Sequence, residues 1–372
     1  MSAQPDTAVE VDGLSKNYGP VAALSSVSFS IESGQYFVLL GPSGGGKTTL
    51  LRLIGGFIRP SRGRVLLHGR DVGDEPPNRR PTSMVFQSYA LFPHMSVERN
   101  VAYGLKLRKM AAPEIGRRVA RMLELVGLAG YEARMPHELS GGQQQRVQLA
   151  RSLVLESDIL LLDEPLASLD AKLRKDMCLE LKHIQEKVGI TFIHVTHNQE
   201  EAMTIADRIA IIADGRLVEE GTARDVYERP RRRFTAEFIG DNNLLHGTVS
   251  AIAAEPGGRV KVDLGYAEVA VDATVAEGTD VAAGDAVSLS VRSELVELVA
   301  PGGAEDGARQ TVPATYLEEV YLGLTTSHLV RLPDGSEVAV RRISEGGDAT
   351  PPAPGQEVRI GWKTPSARLH VE

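Results

Sequence analysis

The chain has 372 residues, 42% of them apolar, and its 41 Lys and Arg against 49 Asp and Glu give a formal net charge of −8. That length suits two ordinary domains, each able to bury a core, and the acidic balance argues against nucleic acid as the main partner, because phosphate backbones select basic surfaces. Its one cysteine, Cys178, excludes an intrachain disulfide and suits a reducing compartment.

Met1–Thr7 has neither a basic start nor an apolar run, so it does not read as a secretory signal. From there to about residue 235, short β-like apolar runs alternate with longer helical patterns, the mark of an α/β layer fold. Tyr36–Leu40 reads as a buried strand that runs into a glycine-rich turn, and a helix continues over Thr49–Gly55. In Pro113–Leu128, residues Ile115, Val119, Met122, Leu123 and Val126 share one helical face, with Arg117, Arg118, Arg121 and Glu124 turned away. Ile159–Leu162, Thr191–Val195 and Ile209–Ile212 are further buried strands. None of these apolar runs approaches the roughly 20 residues that cross a bilayer, so any membrane role must come through a partner. Arg229–Arg233 is a short basic run that reads either as a local basic patch or, as such runs usually are, as solvated surface.

The texture changes near Gly240. Val249–Ile252, Val260–Leu264, Val269–Val271, Val287–Val291, Thr311–Leu317, His328–Leu332, Val338–Arg341 and Val358–Trp362 are short, often alternating, and separated by Gly, Pro and Asp turns. They predict a small all-β, barrel-like domain. Pro301–Gln310, rich in Gly and Ala, is expected to be a mobile loop. The expected division is residues 1–240 and 241–372, with a helical subdomain over about 88–158 of the first.

Three segments carry chemistry. Gly41, Pro42, Ser43, Gly44, Gly45, Gly46, Lys47 and Thr48, followed by Thr49, match the phosphate-binding loop pattern between a predicted strand and a predicted helix. Glycines let successive backbone N–H groups converge on phosphate oxygens, and the helix N-terminus adds partial positive charge. Lys47 reaches the β- and γ-phosphates and the Thr48 hydroxyl ligates Mg²⁺, so ATP and Mg²⁺ are the expected ligands. Further on, the apolar run Ile159–Leu162 ends in Asp163 and Glu164, adjacent carboxylates that strand alternation points in different directions. Asp163 is expected to hold the metal shell and Glu164 to act as general base on the attacking water. The third segment, Leu139, Ser140, Gly141, Gly142 and Gln143 through Arg146, opens a helix with a serine cap and two glycines. It has no role in a generic enzyme of this kind.

With that third segment the sequence resembles the ATP-binding cassette (ABC) ATPases, and the resemblance spans about residues 8–240 with every family motif in order. It implies an α/β P-loop NTPase with a helical subdomain. Ser140, Gly141, Gly142 and Gln143 would bind the γ-phosphate held by the phosphate loop of a second copy, giving two composite sites in a homodimer. By the same resemblance Tyr18 would stack on adenine and Gln87 would touch Mg²⁺ and the attacking water. Asp170 would communicate across the dimer, and His197 would contact the γ-phosphate and orient Glu164. Small departures are Ala167-Ser168 where Ser-Ala is usual, Asn198 where Asp is common, and Gly45 where Cys or Ser is frequent.

The segment Tyr89–Val97 looks like the stretch on which importer ATPases receive transmembrane permease subunits through the Gln87–Val97 region, with ordinary buried packing as the other reading. The β-rich tail is similar to the OB-like regulatory (TOBE-like) domain of bacterial importers of the maltose and polyamine kind. Phe238–Val249, Glu318–Gly323, Val330–Gly335 and Ile360–Trp362 point to the spermidine/putrescine branch; iron, sugar and sulfate importers have related tails. Ser293 stands where Pro is frequent. The implied setting is the cytoplasmic face of the plasma membrane, with indirect service to a periplasmic or lipid-anchored solute-binding protein. The rival class is a soluble ABC protein of translation or DNA repair, which usually carries two cassettes or a long coiled coil; this chain has one cassette.

Overall fold

The computed structural model describes residues 6–87, 91–252, 258–272, 281–299, 309–344 and 351–371. Ser88–Ala90 of the expected docking stretch, and residues 301–308 of the loop expected at Pro301–Gln310, lie outside the described residues. The chain divides into two compact units, Met1–Arg224 and Asp225–Glu372.

In the first unit the strands are β1 (Thr7–Tyr18), β2 (Val21–Glu32), β3 (Tyr36–Leu40), β4 (Arg62–Leu67), β5 (Arg70–Asp71), β6 (Thr82–Val85), β7 (Ile159–Asp163), β8 (Thr191–Thr196), β9 (Arg208–Ala213) and β10 (Arg216–Gly221). Six of them form one sheet in the order β10-β9-β3-β8-β7-β6. Strands β9, β3, β8, β7 and β6 run parallel, with β10 antiparallel on the edge. Every residue of β3, β7 and β8 is buried, which is why these strands read as unbroken apolar runs: a parallel sheet is covered on both faces. A second sheet, β2-β1-β4-β5, is antiparallel. It packs on the first through residues such as Phe29, whose ring stacks on Phe37 at 5.2 Å. The sequence reading did not anticipate this sheet. Several shifts of register along β1 break the two-residue alternation by which strands are recognised.

The helices are α1 (Lys47–Ile54), α2 (Val97–Leu107), α3 (Ala112–Leu125), α4 (Gly141–Leu153), α5 (Ala171–Val188) and α6 (Gln199–Ile205). Helix α3 buries Ile115, Val119 and Leu123 as its pattern predicts, but stops at Leu125 rather than Leu128. Gly127, at φ 67°, takes the left-handed conformation that ends helices. No described helix is long and apolar enough to cross a membrane.

The second unit is reached through two short helices, α7 (Ala223–Glu228) and α8 (Arg233–Phe238). Its strands are β11 (Asn242–Ile252), β12 (Arg259–Asp263), β13 (Glu268–Asp272), β14 (Ala286–Arg292), β15 (Glu297–Val299), β16 (Arg309–Tyr321), β17 (Thr325–Arg331), β18 (Glu337–Ile343), β19 (Glu357–Lys363) and β20 (Ala367–Val371). They form two five-stranded antiparallel sheets, β13-β12-β11-β14-β20 and β15-β19-β16-β17-β18, around one shared core that includes Trp362, Tyr316 and Leu289. The eight predicted runs fall on β11–β14 and β16–β19; β15 and β20 were not anticipated. Asn243 joins the two sheets, its side chain donating to the Ala339 carbonyl and accepting from the Ala339 N–H, each at 2.8 Å.

Although the texture changes near 240, residues 225–240 pack with the second unit. Buried Arg292 lies over the Tyr227 ring at 3.9 Å and donates to the carbonyls of Tyr227 and Ile239. The backbone N–H of Ser293 donates to the Asp241 carbonyl at 3.0 Å, a bond that proline at this position could not make.

Candidate nucleotide site

The parallel strands β3, β7 and β8 deliver the predicted residues to the carboxyl end of the sheet, where open α/β sheets bind ligands. The phosphate loop runs from β3 into α1 along the backbone of β9. A Cβ on Gly41 would stand 1.9 Å from the Ile212 carbonyl oxygen, so the loop can pass there only as glycine. Gly46 precedes α1 at φ 104°, in the left-handed region, and a Cβ there would meet the Ala23 carbonyl at 2.7 Å. Lys47 is buried, and its ammonium donates to the Gly41 and Pro42 carbonyls, both at 2.8 Å. Burial lowers its pKa, with the nearby Glu164 and Asp163 charges acting the other way.

Asp163 ends β7. Its Oδ1 accepts from the Thr48 hydroxyl at 2.9 Å, and Arg52 lies 3.8 Å from its other oxygen. Burial pushes this carboxyl above the usual range, while the Thr48 bond and Arg52 pull it back. Glu164 follows at φ 46°, an uncommon conformation for a side chain with a Cβ. Its N–H donates to the Val195 carbonyl at 3.0 Å. One carboxylate oxygen accepts from Gln87 Nε2 at 3.2 Å and the other stands 3.4 Å from His197 Nδ1. Gln87 and His197, from separate parts of the sequence, thus meet on the Glu164 carboxylate.

His197 sits on a turn fixed by its neighbours. The Thr196 hydroxyl accepts from the Asn198 N–H at 2.9 Å, and the Asn198 side chain caps α6 by accepting from the Glu201 N–H at 3.1 Å. Asparagine therefore performs the capping that aspartate would. Ser140 caps α4: its hydroxyl accepts from Gln143 N at 3.3 Å and its N–H donates to Gln143 Oε1 at 3.0 Å, a reciprocal box. Asp170 caps α5 by accepting from Leu173 N at 3.0 Å. Tyr18, at the end of β1, is half exposed, with the Lys16 ammonium 5.1 Å from its ring. Among the described residues no hydrogen bond or ion pair joins Tyr18, Asp170 or Ser140–Gln143 to the phosphate loop, in contrast to Thr48, Asp163, Glu164, Gln87 and His197, which are linked through Asp163 and Glu164.

Beside Gln87 lies a groove of about 840 Å³ lined by Phe57, Phe86, Gly104, Leu107, Arg151 and Leu155 among others. Phe57, Phe86 and Leu107 are exposed. In the expected docking stretch, by contrast, the Phe92 ring packs against Tyr103 at 4.5 Å and under the Arg151 guanidinium at 4.3 Å. The Asn100 side chain holds the carbonyls of Phe92, Met95 and Ser96. The open apolar surface is therefore next to that stretch. Sequence reading missed Phe57 and Leu107, which lie in the turn after one helix and at the last residue of another.

The ABC transporter family matches residues 24–167, and the TOBE domain matches residues 289–369. Curated relatives include the spermidine/putrescine import ATP-binding protein PotA of Frankia alni, 48% identical over 95% of this chain and 77% of that protein. PotA of Roseobacter denitrificans is 45% identical over 99% of both. This chain belongs to the ABC transporter ATP-binding proteins. Among solved structures, the ABC protein resembles cbiO1 of Clostridium perfringens, part of the transporter complex cbiONQ, with a TM-score of 0.56 and 31% identity over 59% of this chain and 90% of that one. It also resembles an ATP-binding cassette solved as a dimer in a post-hydrolysis state with ADP and Pi, at a TM-score of 0.52 and 31% identity, covering 58% of this chain and 99% of that one.

Proposed function

We propose that the chain is the ATP-hydrolysing subunit of an ABC importer, that it works as a homodimer under transmembrane permease subunits, and that the solute is a polyamine. The observation that carries the catalytic part is the Glu164 carboxylate, held between Gln87 and His197 beside Lys47, Thr48 and Asp163. The N–H groups of Gly41–Thr48 cradle the phosphates of ATP, Tyr18 stacks on adenine, and Lys47 exchanges its two carbonyl partners for the β- and γ-phosphates. Glu164 takes a proton from the water that attacks the γ-phosphorus, and the bond to the ADP oxygen breaks. His197 orients Glu164 and contacts the γ-phosphate.

The donor set suits Mg²⁺: the Thr48 hydroxyl and Asp163 carboxylate are hard oxygen ligands already paired with each other, and Gln87 adds an amide oxygen. When bound, Mg²⁺ neutralises charge on the phosphate oxygens. Ser140–Gln143 of a second copy closes over the γ-phosphate, with Asp170 at the dimer contact; the dimeric cassette among the structural relatives supports this arrangement. The groove at Phe57, Phe86 and Leu107, next to Gln87, is suited to receive a permease helix, and in this reading the subunit works at the cytoplasmic face of the membrane. A solute-binding protein outside the membrane completes the system.

Glu164→Gln is the decisive variant. It should bind ATP as the native chain does, lose at least about a hundredfold in kcat and accumulate an ATP-bound dimer; unchanged hydrolysis would refute the assigned base. Specific activity should also fall as the purified chain is diluted, because each site needs two copies. The polyamine assignment is supported by relatives of that name over nearly the whole chain. Spermidine or putrescine with its binding protein should stimulate the reconstituted transporter, and stimulation only by iron, sugar or sulfate would overturn it.

A further inference from the structure

The first turn of helix α6 carries Glu200 and Glu201, acidic residues that would ordinarily be solvated at a helix N-terminus. Glu201 is instead only 5% exposed. One of its carboxylate oxygens accepts from the Thr196 hydroxyl at 2.6 Å and lies 3.7 Å from His194 Nε2. The other lies 3.5 Å from Arg174 Nε. Thr196 and Asn198 bracket His197; Thr196 donates to the Glu201 carboxylate and Asn198 accepts from the Glu201 backbone N–H, so the Glu201 side chain holds the turn that presents the histidine through Thr196. On its other side, Arg174 donates through Nη2 to the Leu169 carbonyl at 2.7 Å, immediately before Asp170.

Two further observations tie this pair to the reaction. A small cavity of about 30 Å³ is lined by Glu164, Ala167, Arg174, His197, Asn198 and Glu201, so the pair shares a space with the proposed base. Such a volume holds a water molecule. Arg174 Nε is buried without a hydrogen-bond partner and stands 3.5 Å from the Glu201 carboxylate. The contact has slack that a few tenths of an ångström of movement in either helix would take up as a charge-assisted bond. A buried carboxylate with no partner is costly, so the pair is held together once both ends are in place.

We propose that Glu201 and Arg174 form a positioning pair for hydrolysis, coupling the turn that carries His197 to the loop that carries Asp170, so that dimer contact and γ-phosphate contact are made together. Burial raises the Glu201 pKa, with Thr196 and Arg174 opposing that shift, as expected for a carboxylate whose ionised form depends on those two partners. The inference rests on the roles proposed for Glu164, His197 and Asp170.

The test uses the full chain with Glu201→Gln, which keeps an acceptor for Thr196 but removes the charge facing Arg174, with Arg174→Met, and with both together. Each single variant should lose about tenfold in kcat, with KM for ATP and nucleotide affinity changed by no more than about twofold, and the double variant should be no worse than the poorer single one. Placed in Glu164→Gln, either should weaken the ATP-dependent dimer. Unchanged kcat, losses that multiply in the double variant, or kcat and nucleotide affinity falling together with the melting temperature would each overturn the proposal. If Arg174→Met does not fold, Arg174→Lys, which keeps the charge but not the forked geometry, is read by the same split between kcat and KM. Normal hydrolysis by Glu164→Gln would sink the functional reading itself. An inactive Glu164→Gln beside a fully active Glu201→Gln would sink only this inference.

Discussion

Gly41 and Gly44 lie three positions apart on one loop and are glycine for different reasons. Alanine at Gly41 would drive its Cβ to within 1.9 Å of the Ile212 carbonyl, so β9 or the loop must move. Gly41→Ala should cost about 2 kcal/mol or more in stability and weaken ATP binding at least tenfold, as read by thermal unfolding and fluorescent-nucleotide titration. At Gly44 nothing lies within 4 Å of a built Cβ; only the φ of 80° resists substitution, at a cost of about 1 kcal/mol. Gly44→Ala should therefore be the milder change in the same unfolding measurement. The cradle was legible because phosphate chemistry dictates both residue type and spacing, and Asp163 and Glu164 were legible because an apolar strand announces where it ends. Arg174 and Glu201 were not, since charged residues in the first turn of a helix look solvated until the fold buries them against each other.

At the scale of elements, the strands buried on both faces were read correctly and the antiparallel sheet of β1, β2, β4 and β5 was not. Its bulged first strand has no clean period to read. The end of α3 was overrun because Val126 and Leu128 continue the apolar pattern while Gly127 turns the backbone. The short helices α7 and α8 carry little pattern of their own, and their attachment depends on Arg292, far along the chain in β14. Removing that guanidinium leaves the Tyr227 and Ile239 carbonyls without their donor and the Tyr227 ring without its stacking partner. Arg292→Met should thus destabilise the second unit by about 2–4 kcal/mol. Amide hydrogen exchange across Ala223–Phe238 should speed up at least tenfold, with the strands of the first unit unchanged. Uniform acceleration over the whole chain would contradict this local role.

For the whole molecule, pH dependence follows from two buried histidines. Burial lowers the pKa of His194 to about 3 and that of His370 to about 4. Between those values and the ordinary histidine pKa near 6.5, the unfolded chain binds protons that the folded chain refuses, so stability rises with pH through this window and is lost as pH falls below about 6.5. The loss approaches about 1.4 kcal/mol per pH unit for each histidine, or roughly 2 kcal/mol apiece between pH 7 and 5. Asp163 and Glu201, raised by burial, act in the opposite sense: their contribution is present at low pH and fades as pH rises through their folded values. The melting temperature should fall between pH 7 and 5, and His194→Gln should flatten that fall; equal slopes for the two chains would count against it. The backbone of Glu164 bears on how such a molecule could change under selection. A residue at φ 46° spends stability to aim its carboxylate, and glycine or asparagine would adopt that conformation more readily. A library of this chain screened for heat resistance alone should therefore enrich replacements at Glu164, yielding sturdier proteins that no longer turn over ATP.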